Sequence, residues 1–369
     1  TEAGEYVIFV LNALAGQKVE AKIVKKKRRY AEAKLIRVIT RSPDETEVPF
    51  QEIAGAPFAR LPIEKQKEIK QSTALDLYKK IGGIENIDTL FDQYIESPAV
   101  WHYRNKMEYA ISSIRWDFNE LKEADDDFSL GFKHRGTWWC VENLDKDSGL
   151  FDEEFENNLY KIREHLAQTG LPAWHPPKSE GFFRYLVVRK SYATNQLLLN
   201  LVTSSNSLEH FNRQEFTRFI VDLFGERIAG LLHTINDSVG DNAQSRFGDE
   251  NILYGENKLT ENLLGLAFEM HMQSFFQTNP KCAELLYKKA IDYCLENNPL
   301  DPEKDVIMDL FCGTGTIGQI IAKETGAKVI GVDIVEEAIE NAKNNAQRNG
   351  INNVEFYAAD VGKFLYQYP

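Results

Sequence analysis

A glycine-rich turn between two short apolar runs is the part of this sequence best suited to bind a small molecule. The run Val306-Ile-Met308 ends at Asp309, and Gly313-Thr-Gly315 follows it. A second apolar run, Val329–Val332, ends at Asp333. Glycines let the backbone approach a nucleoside, and a carboxylate about 20 residues further on accepts hydrogen bonds from ribose hydroxyls. The pattern predicts a strand–loop–helix–strand unit that binds an adenosine-containing cofactor.

The glycines alone leave more than one cofactor open. Gly313-Thr-Gly-Thr-Ile-Gly318 also fits the dinucleotide pattern, which is weak evidence when it stands alone. Two features favour S-adenosylmethionine (SAM). Asp309 precedes the glycines, where it can meet an amino-acid ammonium or order the loop, whereas a dinucleotide loop must face pyrophosphate. The unit also stands near the C-terminal end, with no second mononucleotide half after it. A doubly wound sheet with a tight turn and no ligand is the remaining alternative.

Composition limits the class of protein. The chain has 369 residues, of which 43% are hydrophobic, enough for two or three domains with their own cores. The sequence shows neither an apolar run of membrane-spanning length nor a signal-peptide pattern. Four widely spaced cysteines, Cys140, Cys282, Cys294 and Cys312, fit no zinc or disulfide framework. We therefore expect a reduced, cytoplasmic setting, no membrane partner and no metal site.

Positive charge is concentrated near the N-terminus. The whole chain carries −13, but residues 17–41 hold ten lysines and arginines against Glu20 and Glu32. That stretch is therefore +8 and the rest of the chain −21. A basic module on an acidic body indicates that one appendage holds a polyanion. The alternative is a charged hairpin that is simply solvated.

The elements around these residues divide the chain into three predicted parts. Residues 1–48 alternate like short strands and predict a small OB-like β-barrel, incomplete at its N-terminus, of a kind that binds RNA. Residues 49–265 predict an α+β domain, with a helix over 62–83 that can pack on the C-terminal domain. Residues 266–369 alternate helix and strand and predict part of a Rossmann-like α/β domain. Individual predictions include strands at Lys18–Val24, Lys106–Ile114, Val306–Leu310 and Val354–Ala358, and helices at Glu153–Gln168, Arg213–Phe224 and Glu336–Asn349.

Several strings occur in an order that points to one family. They are Leu61-Pro-Ile-Glu-Lys-Gln66, Trp101-His-Tyr-Arg-Asn-Lys-Met-Glu108, Leu130-Gly-Phe-Lys-His-Arg135, Ser274-Phe-Phe-Gln-Thr-Asn279 and Asp309-Leu-Phe-Cys-Gly-Thr-Gly315. Together they resemble the RNA uridine-carbon-5 methyltransferase family, which makes 5-methyluridine in ribosomal and transfer RNA, with a TRAM barrel in front. The resemblance covers essentially the whole chain, and the Phe-Phe-Gln-Thr-Asn string makes it specific.

The resemblance implies roles for residues of the cofactor site. Gln277 would contact the amino-acid end of SAM, and Phe311 would line its methionine side. Asp333 would take the ribose hydroxyls and Asp360 would face the adenine, and both stand at the C-terminal end of a strand, where α/β ligands bind. The loop would consist of Gly313, Gly315 and Thr316. Without the family, Asp360 could instead be a helix cap and Gln277 a polar residue that closes a turn.

The resemblance also implies RNA as the partner of a monomeric enzyme. Arg104, Lys106 and Arg135 are expected on the face toward the target base. Phosphates farther away would be held by Lys25, Lys26, Lys27, Arg28 and Arg29. The TRAM-like barrel favours ribosomal RNA over transfer RNA.

The sequence departs from the family in two respects. Family members use a cysteine in a Ser-Cys-Asn-Pro-like string, a C-terminal glutamate base and an Asp-Pro-Pro strand end, and none of these occurs here. We therefore assign no catalytic residue and expect a chain truncated before its nucleophile, inactive by itself. Ribosomal members often hold an iron–sulfur cluster on four cysteines. Residues 48–58 contain no cysteine and the fourth position is Asp147, so we expect no cluster.

The sequence thus predicts a SAM-dependent RNA uridine-carbon-5 methyltransferase. Two alternatives remain. One is methylation of another RNA atom, such as carbon 5 of cytosine or a ring nitrogen. The other is a module that binds SAM and RNA without activity.

Overall fold

The computed structural model describes residues 6–125, 128–240, 242–243, 250–296 and 300–367. Residues 1–5, the start of the predicted barrel, and 368–369, the end of the predicted α/β domain, lie outside this part. No helix within it has both the length and the apolar character needed to span a bilayer.

The N-terminal segment is a three-stranded sheet of β1 (Val7–Leu11), β2 (Lys18–Lys26) and β3 (Tyr30–Thr40), in the order β1-β3-β2. The predicted barrel is not confirmed, since no closed barrel occurs in the described residues. Three strands are too few to curl round and pair first with last, and an OB barrel needs about five. Strand β2 also extends beyond the predicted Val24, because Lys25 and Lys26 pair with Glu32 and Ala31 of β3.

Two helices connect this sheet to the rest, α1 (Ile63–Lys80) and α2 (Ile87–Leu90). All of α1 is described, and none of its residues is buried. The segment after α2 makes the contacts with the C-terminal part. Asp92 accepts a hydrogen bond of 2.5 Å from the Tyr293 hydroxyl and forms a 2.9 Å ion pair with Lys289.

The middle of the chain forms a nine-stranded mixed sheet in the order β12-β11-β10-β9-β4-β7-β8-β5-β6. Its strands are β4 (Lys106–Ser112), β5 (Arg115–Asp117), β6 (Lys122–Ala124), β7 (Ser129–Lys133), β8 (Val141–Asn143), β9 (Phe183–Lys190), β10 (Leu197–Thr203), β11 (Ile228–Ile235) and β12 (Glu250–Gly255). Successive side chains of a strand point to opposite faces. Accordingly, Leu186 and Val188 of β9 enter one core, whereas Tyr185 and Val187 enter the other.

Helices α3 (Glu153–Asn157), α4 (Leu159–Gln168) and α5 (Arg213–Phe224) cover the first face. The bounds of α5 are as predicted. The single helix predicted over Glu153–Gln168 is wrong in one respect, because Asn158 interrupts it with φ −106° and ψ −1°. The side chain of Asn157 accepts a 3.0 Å hydrogen bond from the Asp147 amide, which fixes the chain at this break.

The second face is covered by the C-terminal part. A hairpin of β13 (Leu259–Leu263) and β14 (Leu266–Met270) leads through an irregular segment to α6 (Pro280–Glu296). A parallel sheet in the order β15-β16-β17 follows, with helices between its strands. Its elements are β15 (Val306–Leu310), α7 (Thr316–Thr325), β16 (Lys328–Asp333), α8 (Glu336–Arg348), β17 (Val354–Ala358) and α9 (Val361–Gln367). This alternation confirms the α/β prediction for these residues, with β15 and β17 at their predicted bounds.

Helix α8 attaches the parallel sheet to the hairpin. The Asn345 side-chain oxygen accepts from the Glu269 amide at 3.0 Å, and that of Asn349 accepts from the Ala267 amide at 2.8 Å. Asn349 also donates to the Ala267 carbonyl at 2.9 Å. The two asparagines thus satisfy backbone amides and a carbonyl at the edge of β14, which would otherwise require a neighbouring strand.

Candidate cofactor site

The glycine-rich loop lies at the C-terminal ends of β15 and β16, where the sequence predicts it. Phe311, Gly313 and Gly315 have φ values of 63°, 53° and 72°, in the left-handed region. The space available for a side chain differs between Gly313 and Gly315. A Cβ on Gly315 would lie 2.5 Å from the ring of Phe356, whereas no described atom lies within 4 Å of a Cβ on Gly313. Gly315 is therefore required both by conformation and by packing.

Asp333 holds this loop in place. It ends β16, and its carboxylate accepts hydrogen bonds from the Gly313 amide at 2.9 Å and the Val335 amide at 3.0 Å. Asp309, at the end of the neighbouring β15, accepts from the Gly318 amide at 2.8 Å. The two carboxylates predicted from the sequence thus meet at one end of the sheet. Burial, reinforced by the charge of Asp333, raises the pKa of Asp309 to about 6.

A cavity of about 290 Å³ opens beside the loop. One wall comes from the irregular segment before α6 and the other from the loop and the start of α8. Its lining residues are Gln273, Ser274, Phe275, Gly313, Thr314, Asp333, Val335, Glu337, Ala338 and Asn341. A carboxylate, backbone groups and apolar walls of this kind can hold a nucleoside. Among the described residues, neither Phe311 nor Asp360 lines this cavity.

Gln277 lies on the irregular segment that precedes α6. Its side chain approaches the hydroxyl of Tyr287, a buried residue of that helix. Burial raises the pKa of Tyr287, and the charge of Asp309 adds to that rise. The sequence analysis missed Tyr287, because an aromatic residue at helical spacing has the pattern of an ordinary core residue.

The two remaining predicted cofactor residues make local contacts. Asp360 follows β17 and caps α9, since its carboxylate accepts from the Lys363 amide at 2.9 Å. The cap was the alternative that the sequence left open. Thr316 begins α7, with its hydroxyl 3.4 Å from that of Thr314. The roles of Asp360 toward adenine and of Thr316 in the loop stay predictions.

None of the cysteines resembles an activated nucleophile. Burial and the charges of Asp309 and Asp333 raise the pKa of Cys312 to about 12, and burial raises that of Cys140 equally far. A thiol with such a pKa is almost wholly protonated at neutral pH. Cys282 and Cys294 lie on α6, the first partly buried and the second exposed.

The predicted RNA-facing residues form two groups. Arg104 and Lys106 flank Asn105, whose amide donates to the Thr278 carbonyl at 2.8 Å, so they lie close to the cofactor segment. Arg135 is exposed beyond the end of β7. Strands β4 and β7 are antiparallel, so the C-terminal end of β7, which precedes Arg135, lies toward the Lys106 end of β4. Lys106 itself forms a 2.6 Å ion pair with Glu108.

The basic hairpin is the second group. Residues 25–29 are all exposed at the tip of β2 and β3, and Lys25 forms a 3.2 Å ion pair with Glu32. The hairpin sheet is tied to the central domain by Lys34, which donates to the Gly136 carbonyl at 3.3 Å, one residue from Arg135. A path of exposed cations therefore leads from the hairpin toward the central sheet.

Comparison with known proteins agrees with this geometry. Residues 301–368 match a family model described as a methyltransferase domain. Over 363 residues the chain is 38% identical to an uncharacterized RNA methyltransferase of Clostridium tetani, covering 97% of this chain and 75% of that protein. A second such protein, from Clostridium acetobutylicum, is 36% identical over 366 residues with the same coverage.

A solved structure shares the fold. The tRNA (uracil-54, C5)-methyltransferase of Pyrococcus abyssi, crystallised with S-adenosyl-L-homocysteine, superposes with a TM-score of 0.68. The match covers 96% of this chain and 75% of that one at 23% sequence identity. At this identity the likeness supports the fold.

Proposed function

Because the chain belongs to the RNA methyltransferase family of these relatives, we propose that it uses SAM to methylate carbon 5 of uridine in RNA. The observation that carries the proposal is the loop geometry. The carboxylate of Asp333 accepts a hydrogen bond from the Gly313 amide at the mouth of a nucleoside-sized cavity, and residues 273–275 form the opposite wall.

The residues present fit this cofactor. Asp333 can accept from the ribose hydroxyls while it holds the loop, and the glycines admit the ligand to the backbone. Gln277 would contact the amino-acid end of SAM, to which its side-chain amide offers both a donor and an acceptor. Phe311, which is 77% exposed, would line the methionine side, Thr316 would complete the loop, and Asp360 would face the adenine. When bound, SAM supplies an electrophilic methyl group.

The chain's own contribution is to bind and orient. Carbon 5 of uridine is a poor nucleophile until a thiolate adds to carbon 6. We assign that thiolate to none of the four cysteines. Burial keeps the thiols of Cys140 and Cys312 protonated, whereas Cys282 and Cys294 lie on α6 and do not line the cavity. The described residues therefore account for cofactor and RNA binding.

Analysis of nucleosides from cells that lack this protein tests the function. We expect 5-methyluridine to disappear from one RNA class, while 5-methylcytidine and methylated ring nitrogens stay unchanged. Loss of one of those other nucleosides instead would support the rival methylation, and an unchanged profile would support a binding module without activity. The sequence favours ribosomal RNA through the predicted barrel, but the described residues form no closed barrel. Separate digests of ribosomal and transfer RNA therefore decide the RNA class.

Neutralising the basic hairpin is expected to weaken RNA binding without regard to sequence. Replacing residues 25–29 with glutamine removes exposed cations that we propose contact phosphates. Affinity should fall about tenfold at roughly 0.1 M salt, and the salt slope should flatten by about 0.7–0.9 for each lost contact. Filter binding over a salt series measures both. The control is Lys79→Gln with Lys80→Gln, which removes exposed charge from α1. Equal slopes in hairpin variant and wild type would contradict the prediction.

A further inference from the structure

A buried arginine of the central sheet reaches across to the wall of the cofactor cavity. Arg189 lies on β9 with 1% of its surface exposed. Its Nε donates to the Met272 carbonyl at 2.9 Å, and its Nη2 donates to the Ser274 carbonyl. Residues 273–275 form one wall of the cavity. The guanidinium therefore fixes the backbone of that wall through two of its carbonyls.

Asn105 holds the next part of the same segment. It is fully buried, its side chain donates to the Gln277 carbonyl at 3.1 Å, and its backbone amide donates to the Thr278 carbonyl. The chain on which it lies is fixed in turn, because the hydroxyl of Tyr192 donates to the His102 carbonyl and also lies 3.1 Å from the Arg104 carbonyl. Residues 271–279 form neither helix nor strand, so these side-chain donors replace the bonds that regular structure would supply.

The cost of burying Arg189 indicates that the contact matters. Taking a guanidinium out of water is unfavourable by several kcal/mol unless it is paired. In the described chain no carboxylate forms an ion pair with Arg189, and burial lowers its pKa to about 10, which still leaves it charged at neutral pH. Its Nη1 and the Asn105 Oδ1 are buried without a hydrogen-bond partner among the described residues.

We propose that Arg189 is a positioning residue that, together with Asn105, fixes residues 272–278, of which 273–275 line the cofactor cavity, and couples them to the chain that bears Arg104 just before β4. The inference rests on the proposed function, since it assumes that SAM occupies this cavity. A planar guanidinium can donate to two carbonyls at a fixed separation, whereas a lysine ammonium presents a single point of charge. Lysine at this position therefore preserves charge but loses the geometry.

Arg189→Lys tests the proposal by calorimetry with S-adenosylhomocysteine and by hydrogen–deuterium exchange of the ligand-free protein. We expect binding to weaken roughly tenfold through loss of a charge-assisted hydrogen bond, and exchange to accelerate in peptides covering 272–278. The matched control is Arg184→Lys. Arg184 lies on the same strand with the same 1% exposure, and it donates to the carbonyls of Asn236, Ser238 and Gly240. It should lower thermal stability without changing cofactor affinity.

The outcomes separate this inference from the proposed function. Wild-type affinity and unchanged exchange in Arg189→Lys would overturn the positioning role while leaving the cofactor assignment intact. A wild-type protein that binds no S-adenosylhomocysteine would count against the assignment itself, and the exchange measurement would still decide whether Arg189 orders the segment. If Arg189→Lys fails to fold, Asn105→Asp serves instead. It is nearly isosteric and removes the donor to Gln277, so the proposal again requires weaker binding and faster local exchange.

Discussion

Gly315→Ala should destabilise the C-terminal domain by roughly 2–5 kcal/mol. A left-handed conformation costs a residue with a side chain about 1–2 kcal/mol, and forcing a methyl into a packed core adds about 1–3 kcal/mol. The added methyl would meet the ring of Phe356 at 2.5 Å. That ring cannot easily retreat, since it already lies against Gly331, where a Cβ would approach it to 2.4 Å.

Gly313→Ala is the matched control for this substitution. Its φ of +53° imposes the same conformational cost, but no described atom lies within 4 Å of the added methyl. We expect a loss of only about 1–2 kcal/mol. Urea denaturation of both variants, followed by a probe in the C-terminal domain, measures the difference. Equal destabilisation would show that Phe356 yields and that packing imposes no demand at position 315.

Asp333→Ala should weaken SAM binding by roughly 1–3 kcal/mol, because the ribose hydroxyls lose a charged acceptor. The loss has a second source in this structure. The same carboxylate accepts from the Gly313 and Val335 amides, so its removal also frees the loop that forms the cavity mouth. Calorimetry with SAM and with NAD measures the effect and the preference.

Two further variants separate these contributions. Asp333→Asn keeps one oxygen to accept from the loop but loses the charge, so its effect should be smaller than that of alanine. Glu340→Ala removes an exposed carboxylate of α8 that does not line the cavity, and it should leave affinity nearly unchanged. Unaltered SAM affinity in Asp333→Ala, or tighter binding of NAD than of SAM by the wild type, would refute the cofactor assignment.

The local parts of this protein were predictable from its sequence. Strands β15 and β17 and helix α5 have the predicted bounds because apolar periodicity, glycine and capping residues act over a few positions. The same local logic placed Asp309, Gly313, Gly315 and Asp333 at the strand ends. The break at Asn158 was missed because it depends on a contact between Asn157 and Asp147, ten residues away, that no periodicity records.

What only the tertiary structure decided are the pairings between distant segments. The N-terminal strands alternate as barrel strands do, but whether a sheet closes depends on the number and registry of the strands that pair, which alternation does not encode. Arg189 and Asn105 lie 83 and 172 residues from the carbonyls that their side chains bind. The sequence by itself determined the cofactor loop and its carboxylates, because short-range backbone conformation requires them. The conformation of the wall that faces this loop depends on the tertiary structure, because its carbonyls are bound by Arg189 and Asn105 of the central domain.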